Sequence, residues 1–158
     1  MKEPPTSAGQ DDVTETSQRP SASLRTPVFW GVVFGVLNVV AAWGFWWLSL
    51  STVHALAIAL IAAVYIGFAV ADGRPKVIAV EVTVASIFFV LAAIGVTEAA
   101  WFLVVAYAAH GFKDLWQHRT HFVANTRWWP PFCATVDWLV ALALVILIVA
   151  GIDFHSVN

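Results

Sequence analysis

Between Val28 and Gly73 the chain carries no Lys or Arg, and this run restricts the fold more than any other feature. As a single helix rising 1.5 Å per residue it would measure about 67 Å, roughly twice the ~30 Å hydrocarbon layer of a bilayer. The run therefore predicts two membrane-crossing helices joined by a turn near Ser49, Ser51 and Thr52. The next stretch, Lys76 to about Arg119, has the same excess of length and predicts a second turn at Gly95, Thr97 and Glu98. A last apolar stretch runs from about Cys133 to Ile152. The expected architecture is an all-α integral membrane protein, a five-helix transmembrane bundle with spans at about 28–48, 53–72, 77–95, 98–119 and 133–152.

Composition agrees with a lipid solvent. The 158 residues are 60% hydrophobic and only 11% charged, with a mean hydropathy of +0.80. A soluble domain carries roughly a quarter charged residues, and one small core could not enclose so much apolar side chain. A formal net charge of −2, with no basic tail and no alternation of basic and aromatic residues, gives no footing for nucleic acid. The single cysteine, Cys133, excludes an intrachain disulfide and any cysteine-rich zinc or iron–sulfur centre within one chain. There is no Gly-rich phosphate loop, G-x-S-x-G elbow or H-E-x-x-H pair, so serine-based hydrolysis has no support.

Residues 1–26 differ from the rest. Pro4, Pro5, Ser7, Asp11, Asp12, Glu15 and Pro20 show no apolar period, and the segment reads as a disordered cytoplasmic tail. It is too long and too acidic before the first apolar run for a signal peptide. Residues 27–155 form the transmembrane domain.

Charge placement tests the span count. With five spans, the tail and the loops at 73–76 and 119–132 share one side, and Lys2, Arg19, Arg25, Arg74, Lys76, Arg119 and Arg127 all fall there. Lys113, the last of the eight basic residues, lies within about two turns of it. The opposite side receives Glu98 and Asp153. Cytoplasmic loops hold the excess Lys and Arg, so the N-terminus is expected inside, the C-terminus outside, and the chain in the inner (plasma) membrane. Trp30, Trp116, Trp128, Trp129 and Trp138 fall near the inner boundary, and Trp46, Trp47 and Trp101 near the outer one, as amphipathic rings prefer. Trp43 falls deeper and predicts packing, and Asn38 predicts a hydrogen bond to a neighbouring helix. Gly31 and Gly35 make a G-x3-G that permits close helix approach, either within the bundle or in a homo-oligomer.

The chemistry concentrates on the fourth span. At 100° per residue, His110, Asp114, His118 and His121 fall at about 0°, 40°, 80° and 20°, a single arc that also holds Tyr107. Imidazoles stacked with a carboxylate on one face are what a shared centre needs, since the carboxylate fixes a ring tautomer by accepting its second N–H. Glu81 on the third span and Asp137 on the fifth come to a similar depth, and Asp72 closes the second span at the same surface. A carboxylate in hydrocarbon costs at least about 2.5 kcal/mol, so Glu81, Asp114 and Asp137 should face protein, water or a cation. His110, Asp114, His118, Asp137, Glu81 and His121 are the candidate metal ligands, and such His/Asp/Glu sets suit Zn, Fe or Mn. The alternatives are interfacial ion pairs, Asp114 with Lys113 or Arg119 and Asp137 with Arg127, with His118 and His121 in the headgroup layer. His54, Glu98, Asp153 and His155, near helix ends without shared spacing, read as solvated termini.

Two motifs, His110-x3-Asp114-x3-His118 and Trp128-Trp129-Pro130-x-Phe132-Cys133-x3-Asp137, resemble the signature of a family of small bacterial multi-pass membrane proteins of unknown function. Members often carry adjacent histidines at the end of this helix, where Gln117-His118 stands here. The resemblance implies a membrane protein and marks the same residues, and supplies no reaction. Two functional expectations stand side by side. One is a metal- or cofactor-dependent membrane enzyme acting on a lipid or other hydrophobic substrate; the other is a non-catalytic accessory subunit or proton/ion-handling protein, with another membrane protein as partner.

Overall fold

The computed structural model describes residues 23–124 and 127–157, so residues 1–22 of the tail expected at 1–26 lie outside the described residues, while Arg25 and Thr26 already belong to the first helix. Among the described residues five helices follow one another: α1 Arg25–Ala42, α2 Leu50–Asp72, α3 Pro75–Thr97, α4 Trp101–Thr120 and α5 Trp129–Val149. Four of them, α1, α2, α3 and α5, are long and apolar enough to cross a membrane. α4 is as long but carries Lys113, Asp114 and Arg119.

The boundaries have local causes. α2 starts where the Ser49 hydroxyl accepts from the Thr52 N–H at 3.3 Å, and stops at Gly73, whose φ of 79° suits a residue without Cβ. Pro75 opens α3, and Pro130 with Pro131 open α5, positions where a missing N–H costs nothing. Those two prolines start α5 four residues before the expected Cys133. α1 is shorter than expected, ending at Ala42 rather than near 48, and residues 43–48 are turn and irregular backbone. Trp43 is therefore an exposed C-cap and not a packed mid-helix residue.

The helices run up and down as a bundle, with α4 against α5, α2 against α3 and α1 against α5 as the main contacts. α1 lies parallel to α5. A Cβ on Gly31 would stand 2.6 Å from Thr135 Cβ, and one on Gly35 would stand 3.3 Å from Leu139 Cβ. The G-x3-G surface thus faces α5 of the same chain, the first of the two uses expected for it. Small residues here serve backbone approach, as expected in a bilayer where apolar area alone does not drive helices together.

Burial is that of a protein in lipid. Ile58, Leu103, Ala106, Val140 and Leu144 are fully buried, while Leu60, Val90, Leu142 and Val149 stand more than half exposed around the outside. Each end is tied by polar contacts. At the end that holds the α2–α3 and α4–α5 connections, Arg74 bonds Asp72 at 2.5 Å and the Phe122 carbonyl at 2.7 Å, and Asp72 accepts from the Ala124 N–H at 2.7 Å. Asp72 therefore belongs to this tie, and its carboxylate holds the Arg74 guanidinium above the usual value. At the other end the Ser51 N–H donates to the Phe154 carbonyl at 2.9 Å and Ser49 bridges to Val157. The C-terminal segment so folds across the start of α2. His54 in α2 packs edge-on against Tyr107 of α4 and is only 1% exposed, against the expectation of a solvated terminus. Asn38 also departs from expectation: its Oδ1 makes no hydrogen bond among the described residues.

Candidate buried cation site

α4 and α5 meet through a histidine and two aspartates. His110 and Asp114, one turn apart on α4, face Asp137 on α5, and all three side chains are fully buried. His110 Nδ1 lies 2.8 Å from Asp137 Oδ2 and 3.5 Å from Asp114 Oδ2. One ligand atom from each residue falls within 4.8 Å of the others, the spacing needed to hold a metal ion. The His110 ring is fixed between aromatic edges, with Phe88 at 4.9 Å and Tyr65 at 5.4 Å between centroids. Its Nε2 makes no hydrogen bond among the described residues, and neither does either oxygen of Asp114 or the Oδ1 of Asp137. Buried polar atoms are nearly always paired, so these mark a place where a ligand or proton belongs.

A second cluster lies one turn toward the basic end. Glu81 on α3 is 1% exposed; its Oε2 is 2.8 Å from Lys113 Nζ and its Oε1 accepts from the Gln117 amide. Lys113 Nζ also stands 3.5 Å above the centre of the Tyr65 ring, a cation–π contact. Tyr65 thus separates the Lys113 ammonium from the His110 imidazole and touches both. In the opposite direction, the Tyr107 hydroxyl donates to the His54 carbonyl at 3.0 Å, and both residues are buried.

Among the described residues three buried carboxylates, Glu81, Asp114 and Asp137, face two basic side chains, Lys113 and His110. Even with His110 protonated the interior is one positive charge short. Removing unbalanced charge from water costs several kcal/mol per ion. The site therefore calls for a cation or for protons.

The expected site residues fall into three places. His110, Asp114 and Asp137 come together; Glu81 sits beside them but is engaged by Lys113 and Gln117. His118 and His121 stand apart, at a cleft of about 650 Å³ at the end of α4. His121 there is an exposed left-handed C-cap with φ 50°, which turns it off the helical arc assumed for it. The ion pairs weighed as alternatives are not the ones formed: Lys113 takes Glu81, and Asp137 takes His110. Lys113, Gln117, Tyr65 and His54 were not assigned to the site from sequence. For two of them a signal was present, because Lys113 and Gln117 share the same four-residue spacing that aligns His110 with Asp114.

No family model, no curated protein and no solved structure matches the chain.

Proposed function

We propose that the chain is a five-span protein of the bacterial plasma membrane, N-terminus inside and C-terminus outside, that binds a divalent transition metal in its interior. Two observations support α4 as the fourth span. Its charged and polar groups His110, Asp114 and Gln117 turn inward, while Val105, Phe112 and Trp116 are exposed. The orientation is supported by Arg25, Arg74, Lys76, Arg119 and Arg127, which all stand at the end shared by the α2–α3 and α4–α5 connections.

The observation that carries the metal reading is the gathered, charge-deficient set His110, Asp114 and Asp137. With His110 neutral and Lys113 charged, the three carboxylates leave two negative charges, which one divalent ion cancels. Imidazole with carboxylates suits Zn, Fe or Mn, and facing helices are a common frame for such ligands. Bound there, the ion would supply Lewis acidity. Glu81, held by Lys113 and Gln117, would set the charge around it. Elemental analysis of the detergent-purified full chain tests this reading. About one divalent ion per chain is expected in the wild type and near none in His110→Ala or Asp114→Asn; a wild type free of stoichiometric metal refutes it.

One observation favours a second reading, proton handling: buried polar groups continue beyond the triad through Tyr107 to His54 on α2. Intramembrane ionisable residues of this kind serve relays. A metal-free wild type whose proteoliposomes dissipate a pH gradient, and lose that ability in Glu81→Gln, would decide for it.

A further inference from the structure

We infer that the cleft at the basic end, with the crevice beside it, binds a phospholipid with an anionic glycerol headgroup. The cleft, about 650 Å³, is lined by Gln117, His118, His121, Arg127 and Trp128 together with Val123 and Ala124, and no acidic side chain is among them. A second, narrower crevice of about 160 Å³ runs between α1, α4 and α5, lined by Val28, Leu115, Pro131, Ala134, Thr135 and Trp138. His118 lines both. A basic, aromatic-rimmed cavity therefore meets an apolar one at a single imidazole, the same division that an amphiphile carries between head and tail.

The polar atoms select the headgroup. Arg127 presents a planar fork suited to the two free oxygens of a phosphodiester, and His118 and His121 add ring N–H groups. Gln117 is 1% exposed and lines the cleft, and its Oε1 is buried without a hydrogen-bond partner among the described residues. That acceptor needs a donor, which a glycerol headgroup has in its hydroxyls and a choline headgroup lacks. A free phosphate ion would leave the crevice unused. The surrounding Lys76 and Arg119 add the positive field that draws anionic lipid to this face. Gln117 also donates to Glu81 and lies one turn from Asp114, so the headgroup would stand directly beneath the cation site. The inference deepens the functional reading by naming its lipid class; it rests on that reading for the membrane setting and not for the metal.

Native mass spectrometry of the full chain, equilibrated with equal amounts of phosphatidylglycerol and phosphatidylcholine of identical acyl chains, tests it. The wild type is expected to retain one phosphatidylglycerol per chain, at least about tenfold over phosphatidylcholine, the scale of one charge-assisted bond. Arg127→Gln and His118→Gln should each lower that preference severalfold. Arg127→Lys should fall between them and wild type, and keeps the test alive should Arg127→Gln misfold. Arg25→Gln, a basic residue at the same end but outside both cavities, should leave the preference unchanged. Equal retention of the two lipids overturns the proposal, as does a loss in Arg25→Gln matching that in Arg127→Gln. Complete displacement of the lipid by millimolar inorganic phosphate would overturn it in favour of a free-anion site. Metal measured in the same samples separates the two readings: metal-free wild type with lipid preference intact defeats only the metal, and the converse defeats only the lipid.

Discussion

Replacing Lys113 by methionine keeps the stem of the side chain and strands Glu81 as a buried carboxylate. The Nζ–Oε2 separation is 2.8 Å, with Glu81 1% and Lys113 11% exposed. At an effective dielectric near 20, two unit charges at that distance attract by about 6 kcal/mol. Desolvation of both groups offsets part of this, and removing one partner of a buried pair usually costs about 3–5 kcal/mol. Gln117 still donates to Glu81 in the variant, which puts the expected loss at the lower end, about 3 kcal/mol. Glu81→Gln alone should cost less, because the ammonium keeps its place over the Tyr65 ring. The double variant Lys113→Met/Glu81→Gln leaves no buried charge in the pair and should recover most of the loss, with a coupling above about 2 kcal/mol. Denaturant titration in mixed micelles, followed by helical circular dichroism, gives all four free energies. Additivity of the two single effects within about 0.5 kcal/mol would refute the pairing.

Three further outcomes follow from the geometry. Gly31→Ala places a methyl 2.6 Å from Thr135 Cβ and 2.7 Å from the Phe132 carbonyl oxygen, which backbone cannot yield to; it should cost about 1–3 kcal/mol. Gly67→Ala meets nothing within 4 Å and should gain about 0.5–1 kcal/mol from helix propensity in the same titration. At the C-terminal end, the His155 and Ser156 N–H groups donate to the Asp153 carboxylate and hold its pKa below the ordinary 3.8. A depressed carboxylate pKa stabilises above the ordinary value, and that contribution is lost as pH falls through the lowered one. Hydrogen-exchange protection of residues 155–156 should therefore drop in acid below about pH 4, and Asp153→Asn should abolish that pH dependence.

The site was legible where it depends on one helix. His110 and Asp114 share a face because of the helical repeat alone, and their spacing announces it. Asp137 needed the division into helices as well, since a short connection after α4 brings the start of α5 back beside the end of α4. The pairings were not legible. Adjacent residues on a helix point about 100° apart, so Lys113 cannot share the partner of Asp114 and turns to Glu81 instead. His121 left the arc because α4 ends at Thr120, and a residue in the left-handed conformation no longer follows the helical repeat. His54 was misplaced because nothing local foretold that it would pack against Tyr107 of α4.

What the sequence by itself determined is the solvent and the scale. The run from Val28 to Gly73, free of Lys and Arg and measured against a bilayer, requires helices that cross and turn, and the positions of Arg and Lys assign them to one end. Those properties belong to residue identity and helical rise, and need no partner. Only the tertiary structure decided which faces meet: Gly31 and Gly35 against α5, Glu81 against Lys113, and Asp137 against His110. In lipid the outward and inward faces of a helix are both apolar, so the hydropathy pattern that sorts inside from outside in water loses its contrast. Packing of small residues and satisfaction of buried charge then choose the contacts, and both are properties of two helices at once.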